Sequence, residues 1–294
     1  MIIFDGLAYA GQKELLLHKR VAALHARSVF PKVGAVFFTE DKGSQIYTRI
    51  KREVAERVGI GYSGFEFSMK DDFSVFVQKI HEMNTESSIT GIIIQKPVRS
   101  LWEQATGRSD FREWWKSIVQ LIDTKKDVDG LHPETLQGIE KGTWTLEKKV
   151  MPATAKAVLE IIDSLGPDAI KNKKSVVIGR TEILGLPLFY ELKNRGYDVE
   201  LLGTAELHER AERKTFLLDK DIIISSTGRP GLIRGEMIKA GAVLIDVGEP
   251  KSDVDRASVG EKASFLTPVP GGVGPMTVVC LLENAVTMME QGLE

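Results

Sequence analysis

The chain has 294 residues, of which 43% are apolar and 27% charged, and its formal net charge is −2 at pH 7. This length has room for about two domains with their own cores, and a charge so close to zero gives no electrostatic reason to expect nucleic acid or an anionic membrane as a partner. Cys280 is the single cysteine and the five histidines fall in no metal-ligand spacing, so the sequence predicts neither an internal disulfide nor a metal site.

The first residues carry an acid, Asp5, without a basic leader, and no apolar run approaches the roughly 20 residues that span a bilayer, so we expect a cytoplasmic protein. Short β-branched runs then alternate with longer amphipathic stretches, which is typical of βα units and a mostly parallel sheet. The first series predicts helices near 9–29, 44–58 and 72–84 and strands at 33–38, 62–67 and 91–94.

Three polar residues stand out in this series. Tyr47 and Lys51 are four apart, so a helix places them on one face, where they offer an aromatic platform and a proton carrier. The alternative is a core ring and a solvated amine. Gln95 closes the strand 91–94, where its carboxamide can present both a donor and an acceptor.

Residues 97–122 carry Trp102, Trp114 and Trp115, which are interpreted as helix core, with an exposed interface patch as the alternative. The acidic turn Lys126-Asp-Val-Asp-Gly130 follows and brings Asp129 into consideration. Such a turn can also be a solvated loop or a helix cap.

The second series predicts strands at 175–178, 198–202, 221–224 and 242–246, and helices near 185–196, 209–218 and 235–240. This is a mononucleotide-binding pattern, and a last apolar helix is expected at 276–291. We predict an α/β fold of two α/β domains flanking a cleft, the second a Rossmann-like NAD(P)-binding domain. Residues 1–145 plus 275–294 are assigned to the substrate domain and 146–274 to the dinucleotide-binding domain.

The strand at 175–178 runs into a glycine turn that extends from Gly179 through Arg180 and Thr181 to Gly185, where a helix follows. Glycine permits close backbone approach, and the amino end of the next helix attracts pyrophosphate. The spacing is not G-x-G-x-x-G, so a tight βα turn is the alternative interpretation.

Arg180 favours a cofactor with a 2′-phosphate, because the next strand ends in Gly203-Thr204 rather than in an acid for a ribose hydroxyl. NADP is therefore preferred, while the nearby Glu206 keeps NAD open. Thr227 and Gly228, at the end of the third strand of the series, can approach the cofactor without side-chain bulk.

Taken together, these residues make the chain resemble the bifunctional methylenetetrahydrofolate dehydrogenase/methenyltetrahydrofolate cyclohydrolase family over nearly its whole length. The resemblance rests on motifs that occur in the family's order: Tyr47-x-x-x-Lys51, Gly91-Ile-Ile-Ile-Gln95, Lys126-Asp-Val-Asp-Gly130, Gly179-Arg-Thr with Gly185, and Pro268-Val-Pro-Gly-Gly-Val-Gly-Pro-Met-Thr277. The last is long and unbroken, which makes it the most specific.

The resemblance implies that Lys51 is the main catalytic group of the cyclohydrolase step, that Gln95 tunes it and that Tyr47 stacks on the folate. It further implies that Asp129 hydrogen-bonds the pterin ring and acts in catalysis with them. Arg180 and Thr204 match positions for the 2′-phosphate of NADP. The residues expected to line the crevice are Gly271, Gly272 and Pro275. A homodimer formed through the cofactor domains and a place in purine biosynthesis are also implied.

Three stretches depart from the family pattern: Pro152-Ala-Thr-Ala155 with Ala157, interpreted as a relaxed loop near the cofactor, the long tryptophan segment, and Glu134-Thr-Leu-Gln-Gly138. Two other functions stay open. One is an NAD-dependent dehydrogenase with weak or no cyclohydrolase activity, and the other is a non-catalytic dinucleotide-binding protein of the same fold.

Overall fold

The computed structural model describes residues 1–166 and 172–293, and the chain forms two compact units. The first, here the three-stranded unit, comprises Gln12–Gly138, Trp144–Met151 and Leu281–Glu294. The second, the six-stranded unit, comprises Met1–Gly11, Ile139–Thr143 and Pro152–Cys280.

The strands alternate with helices along the chain. The strands are β1 Ile2–Ile3, β2 Lys32–Phe38, β3 Gly61–Phe67, β4 Gly91–Ile94, β5 Lys174–Ile178, β6 Asp198–Leu202, β7 Ile222–Ser225, β8 Val243–Asp246 and β9 Phe265–Leu266. The helices are α1 Gly6–Ala26, α2 Lys42–Val58, α3 Phe73–Thr85, α4 Arg99–Thr106, α5 Phe111–Val119, α6 Pro133–Lys141, α7 Ala153–Ser164, α8 Gly185–Asn194, α9 Thr204–Glu212, α10 Arg256–Val259 and α11 Val273–Gly292, with a 3₁₀ turn at Gly235–Met237.

The three-stranded unit has a parallel sheet of order β3-β2-β4. Helix α2 begins after Asp41, whose carboxylate accepts the backbone N–H of Ser44 at 3.0 Å, and it ends at Gly59, whose φ of +86° stops the helix. This connection returns the chain from β2 to β3 and so places α2 beside the sheet that carries the candidate catalytic residues.

The tryptophan segment forms α4 and α5, and its side chains pack into the core of this unit. Trp102, Trp114 and Trp115 are all buried, and the rings of Trp102 and Trp114 lie 5.0 Å apart between centroids. Buried residues of the sheet, including Phe38 and Ile92, belong to the same cluster. The prediction that these tryptophans are core is therefore confirmed, because their indoles fill the space beneath the sheet.

The six-stranded unit has a wholly parallel sheet of order β1-β9-β8-β7-β5-β6. From β5 the chain moves outward to β6 and then crosses back to β7 on the other side of β5. Such a reversal is the topological switch point, where ligands bind beyond the carboxyl ends of the strands. The α/β fold and the Rossmann-like unit agree with the prediction.

Several predicted elements were wrong in place or extent. The helix expected at 209–218 is α9, Thr204–Glu212, because the helix already begins directly after Gly203. The helix expected at 235–240 is only a three-residue 3₁₀ turn. The two-residue strands β1 and β9 were both missed, and they pair with each other in the six-stranded sheet, although residues 1–145 had been assigned to the other domain.

The stretch that was interpreted as a relaxed loop is the beginning of helix α7. Ala153, Ala155 and Ala157 are fully buried in this helix. Alanine has the highest helix propensity and leaves room for close packing, which explains why a helix forms here. In the described part of the chain, 1–166 and 172–293, no helix has the length and apolar character needed to cross a membrane.

Candidate active site

Lys51 and Gln95 meet in the three-stranded unit, although they are 44 residues apart in sequence. Lys51 lies on α2 and is only 6% exposed, and its ammonium Nζ donates a hydrogen bond of 2.9 Å to Oε1 of Gln95. Gln95 follows β4 directly, and its backbone N–H donates to the carbonyl of Val36 at 2.8 Å. The carboxamide is thus anchored to the sheet and presents its oxygen to the buried ammonium.

Asp129 belongs to the same electrostatic neighbourhood. Burial raises the pKa of its carboxyl, and the positive charge of Lys51 opposes part of that rise. The carboxyl of Asp129 is half-buried, and burial and the charge of Lys51 shift its pKa in opposite directions. Such a group can exchange a proton or accept a hydrogen bond from a bound heterocycle. The hydrogen bond between Lys51 and Gln95 and the electrostatic coupling of Lys51 to Asp129 support the prediction that the three residues act together.

Asp127, the first acid of the same turn, stabilises the loop by hydrogen bonds. It is fully buried, and its carboxylate accepts the backbone N–H groups of Leu131 and His132 at 3.1 and 2.8 Å and the hydroxyl of Thr135 at 3.3 Å. These bonds tie the turn to the start of α6. Asp127 therefore positions the loop on which Asp129 stands.

Tyr47 lies one turn before Lys51 on α2 and is half-buried. The helix spacing therefore holds, and the ring keeps enough exposure to contact a ligand. The alternative of a solvated amine at Lys51 is contradicted, because that ammonium is buried and hydrogen-bonded.

Sequence analysis missed Tyr62 on β3. Among the described residues its buried hydroxyl has no hydrogen-bond partner, and the guanidinium of Arg52 lies 5.8 Å from the centre of its ring. Burial raises the pKa of this hydroxyl; Arg52 opposes the rise and the charge of Asp129 adds to it. A lone tyrosine on an edge strand carries no sequence signal, so only the fold links it to Asp129.

The glycine turn lies at the switch point of the six-stranded sheet. Gly179 follows β5 with φ of +115°, and a Cβ atom there would lie 2.5 Å from the carbonyl oxygen of Ser226, which follows β7. A Cβ on Gly185, the first residue of α8, would lie 1.8 Å from the carbonyl oxygen of Gly179. The backbone is thus folded tightly at the amino end of a helix, as a phosphate site requires. The backbone carbonyl of Thr181 closes the turn by accepting the N–H of Leu186 at 3.0 Å.

Arg180 forms an ion pair with Glu206, the acid that left NAD as an alternative cofactor in the sequence analysis. Its Nη2 lies 2.6 Å from Oε1 of Glu206, and both side chains are partly exposed. A hydrogen bond from the backbone N–H of Glu206 itself and the charge of Arg180 hold the pKa of this carboxyl below its ordinary value. Thr204 is the first residue of the same helix, α9.

Thr227 is held by an acid that sequence analysis did not identify. Asp253 is fully buried, and its Oδ2 accepts the backbone N–H and the hydroxyl of Thr227 at 2.7 and 2.9 Å. The same oxygen accepts the hydroxyl of Ser225 at 2.8 Å. Asp253 thereby fixes the loop that ends at Gly228, whose φ of +66° suits a glycine.

The remaining predicted residues lie in the six-stranded unit. Gly271 has φ of +98°, and a Cβ atom on Gly272 would lie 2.6 Å from the carbonyl oxygen of Pro268, so the loop is tightly folded. Pro275 is half-buried in the first turn of α11. A role of these three residues in lining the crevice stays a prediction.

Two family models match the chain: the catalytic domain of tetrahydrofolate dehydrogenase/cyclohydrolase over residues 4–129, and the NAD(P)-binding domain of the same family over residues 152–293. The bifunctional protein FolD of an Exiguobacterium species is 33% identical over 99% of each chain.

Solved structures agree with these matches. The bifunctional enzyme FolD, methylenetetrahydrofolate dehydrogenase/cyclohydrolase, from Campylobacter jejuni is 27% identical with a TM-score of 0.86 over 99% of each chain. The Trypanosoma brucei methylenetetrahydrofolate dehydrogenase-cyclohydrolase, solved with NADP cofactor and an inhibitor, is 30% identical with a TM-score of 0.86 over 100% of this chain and 98% of that one.

Proposed function

The chain belongs to the tetrahydrofolate dehydrogenase/cyclohydrolase family. From this premise we propose which of its residues act in the dehydrogenase reaction and which act in the cyclohydrolase reaction. It is a bifunctional one-carbon folate enzyme. It oxidises 5,10-methylenetetrahydrofolate to 5,10-methenyltetrahydrofolate with NADP, and it hydrolyses the methenyl compound to 10-formyltetrahydrofolate.

The residues of the six-stranded unit fit NADP on two observations. The tight turn from Gly179 to Gly185 brings backbone to the amino end of α8, where a pyrophosphate is favoured. Arg180 already binds an anionic group, the carboxylate of Glu206. In the proposed assignment, Gly179, Thr181 and Gly185 hold the pyrophosphate, Arg180 and Thr204 receive the 2′-phosphate, and Thr227 and Gly228 contact the rest of the cofactor.

In the dehydrogenase step the bound cofactor supplies the hydride acceptor. Hydride loss from the methylene carbon is assisted by the lone pair of the neighbouring folate nitrogen and gives the methenyl cation directly, so alignment matters more than an acid or a base. In this proposal Tyr47 stacks on the folate and Asp129 accepts a hydrogen bond from the pterin ring.

In the cyclohydrolase step water adds to the methenyl carbon, one proton of the added water is removed, and the other is transferred to the folate nitrogen as the carbon–nitrogen bond that closes the ring breaks. Both proton movements need a group near the reacting carbon, and we assign them to the amine of Lys51. Gln95, through its 2.9 Å contact, fixes the rotamer of Lys51, and the charge of Asp129 balances the buried ammonium.

The observation that carries this division of roles is the part-buried hydrogen bond from the buried Lys51 to Gln95, together with the electrostatic coupling of Lys51 to Asp129. It supports a proton carrier that is shielded from bulk water, which the dehydrogenase step does not need. A non-catalytic dinucleotide-binding protein has no use for such an arrangement, because nucleotide binding alone does not need it.

Product analysis tests the proposed function. Methylenetetrahydrofolate oxidation is followed with NADP and NAD in parallel, and the final folate is identified by chromatography. NADP reduction with release of 10-formyltetrahydrofolate is expected. Accumulation of the methenyl compound, with NAD preferred, would instead identify an NAD-dependent dehydrogenase with weak cyclohydrolase activity. The ion pair between Arg180 and Glu206 is the observation that favours this second candidate.

We also propose that the enzyme is a cytoplasmic homodimer, formed through its cofactor domains, whose product serves purine biosynthesis. This proposal rests on the family resemblance. A molar mass of about twice the 32.6 kDa chain in light scattering is the expected result for the dimer.

A further inference from the structure

The Glu206 carboxylate is held from two sides at the amino end of α9. Arg180 contacts it at 2.6 Å on one side. On the other, the backbone N–H groups of Glu206 and Gly203 donate to it, in the manner of an acid that caps its own helix. A Cβ atom on Gly203 would lie 2.5 Å from Oε2 of Glu206, which shows how closely this carboxylate approaches the backbone at the start of the helix.

An anion-binding position has the same components. Free backbone N–H groups and the positive end of a helix attract negative charge, and a guanidinium adds charge-assisted hydrogen bonds. The 2′-phosphate of NADP needs such a position beside Arg180. In this chain a side-chain carboxylate already takes it.

NADP and NAD differ in the group that they place at this position: a 2′-phosphate in NADP and a 2′-hydroxyl in NAD. A phosphate monoester carries about −1.5 to −2 charges at pH 7, so it repels Glu206 and competes for Arg180. The 2′-hydroxyl of NAD is neutral and can donate a hydrogen bond to a carboxylate. Binding of NAD therefore leaves the Arg180–Glu206 pair intact, whereas NADP must break it.

We propose that Glu206 is a specificity-determining residue of the nucleotide site: its carboxylate occupies the 2′-phosphate position on Arg180, so that NADP binds by displacing it. The inference rests on the proposed function of the glycine turn. It goes beyond that function because it names Glu206 as the residue that limits the preference of the enzyme for NADP over NAD.

The substitution Glu206→Gln tests this inference, because glutamine can still cap the helix but carries no charge. The dissociation constants of NADP and NAD are measured by calorimetric titration of the full chain. A partly exposed ion pair of this kind corresponds to a few-fold change in affinity, and the lost repulsion adds to it, so NADP should bind roughly threefold to tenfold more tightly. NAD should change by less than about twofold.

The matched control is Glu209→Gln, which makes the same charge change at an exposed position of the same helix. It should leave both dissociation constants unchanged. If Glu206→Gln leaves the ratio of the two constants unaltered, or weakens NADP binding, the inference is overturned while the proposed function stands. If the unmodified chain binds neither nucleotide, the proposed function fails as well.

Discussion

Replacement of Lys51 by methionine separates the two activities most directly. Methionine is about as long as lysine and fills similar space without the ammonium. Lys51 is 6% exposed and donates a 2.9 Å hydrogen bond to Gln95, so the substitution removes one charged hydrogen bond and one buried charge together. A charged hydrogen bond contributes about 1.5–3 kcal/mol, but the desolvation of the ammonium offsets part of it. We expect the fold to survive with a loss of at most about 2 kcal/mol.

The effect on catalysis is expected to be much larger and limited to one step. A positioned proton carrier contributes about 10²-fold to 10⁴-fold, so hydrolysis of the methenyl compound should fall by that factor. Hydride transfer needs no proton carrier, and its kcat should stay within about fivefold of the original. The KM for the folate should rise, because Asp129 loses the charge that stabilises its carboxylate.

The assay follows both steps on one preparation. Methenyl formation with NADP and methenyl decay are recorded by absorbance, and urea unfolding checks the fold. Lys42→Met, the same change at an exposed lysine in the first turn of α2, serves as the control and should alter neither activity. An equal loss of both activities in a folded Lys51→Met variant would refute the division of roles.

Three further predictions concern single positions. Gly185→Ala should abolish NADP binding in a titration, since its Cβ would lie 1.8 Å from the carbonyl oxygen of Gly179; unchanged affinity would contradict the tight turn. Asp129→Asn should stabilise the protein increasingly as pH rises, because burial raises the pKa of this carboxyl and the native fold loses stability as the group ionises; urea midpoints that shift equally from pH 4 to 8 would oppose this. Tyr62→Phe should raise the free energy of unfolding by roughly 0.5–1.5 kcal/mol, because a buried hydroxyl without a partner among the described residues is removed; a fall would show that the hydroxyl is satisfied.

Local patterns in the sequence determined most of the elements and much of the site. Alternating β-branched and amphipathic runs predicted all the strands except the two-residue strands β1 and β9, and four-residue spacing placed Tyr47 and Lys51 on one face of a helix. The glycine turn was recognisable because a strand, a glycine and a following helix are adjacent in sequence. The interpretation of the tryptophans as helix core likewise came from the sequence, and the structure buries them in α4 and α5.

Only the tertiary structure decided which distant residues meet. Lys51 and Gln95 are 44 residues apart, and the order of the strands brings them into contact. The ion pair of Arg180 and Glu206 joins the loop after β5 to the first turn of α9, which follows the neighbouring strand β6, and the proposed competition between Glu206 and the 2′-phosphate of NADP rests on it. Sequence periodicity reports the face of a single element, whereas contacts between elements depend on strand order, which local patterns leave open.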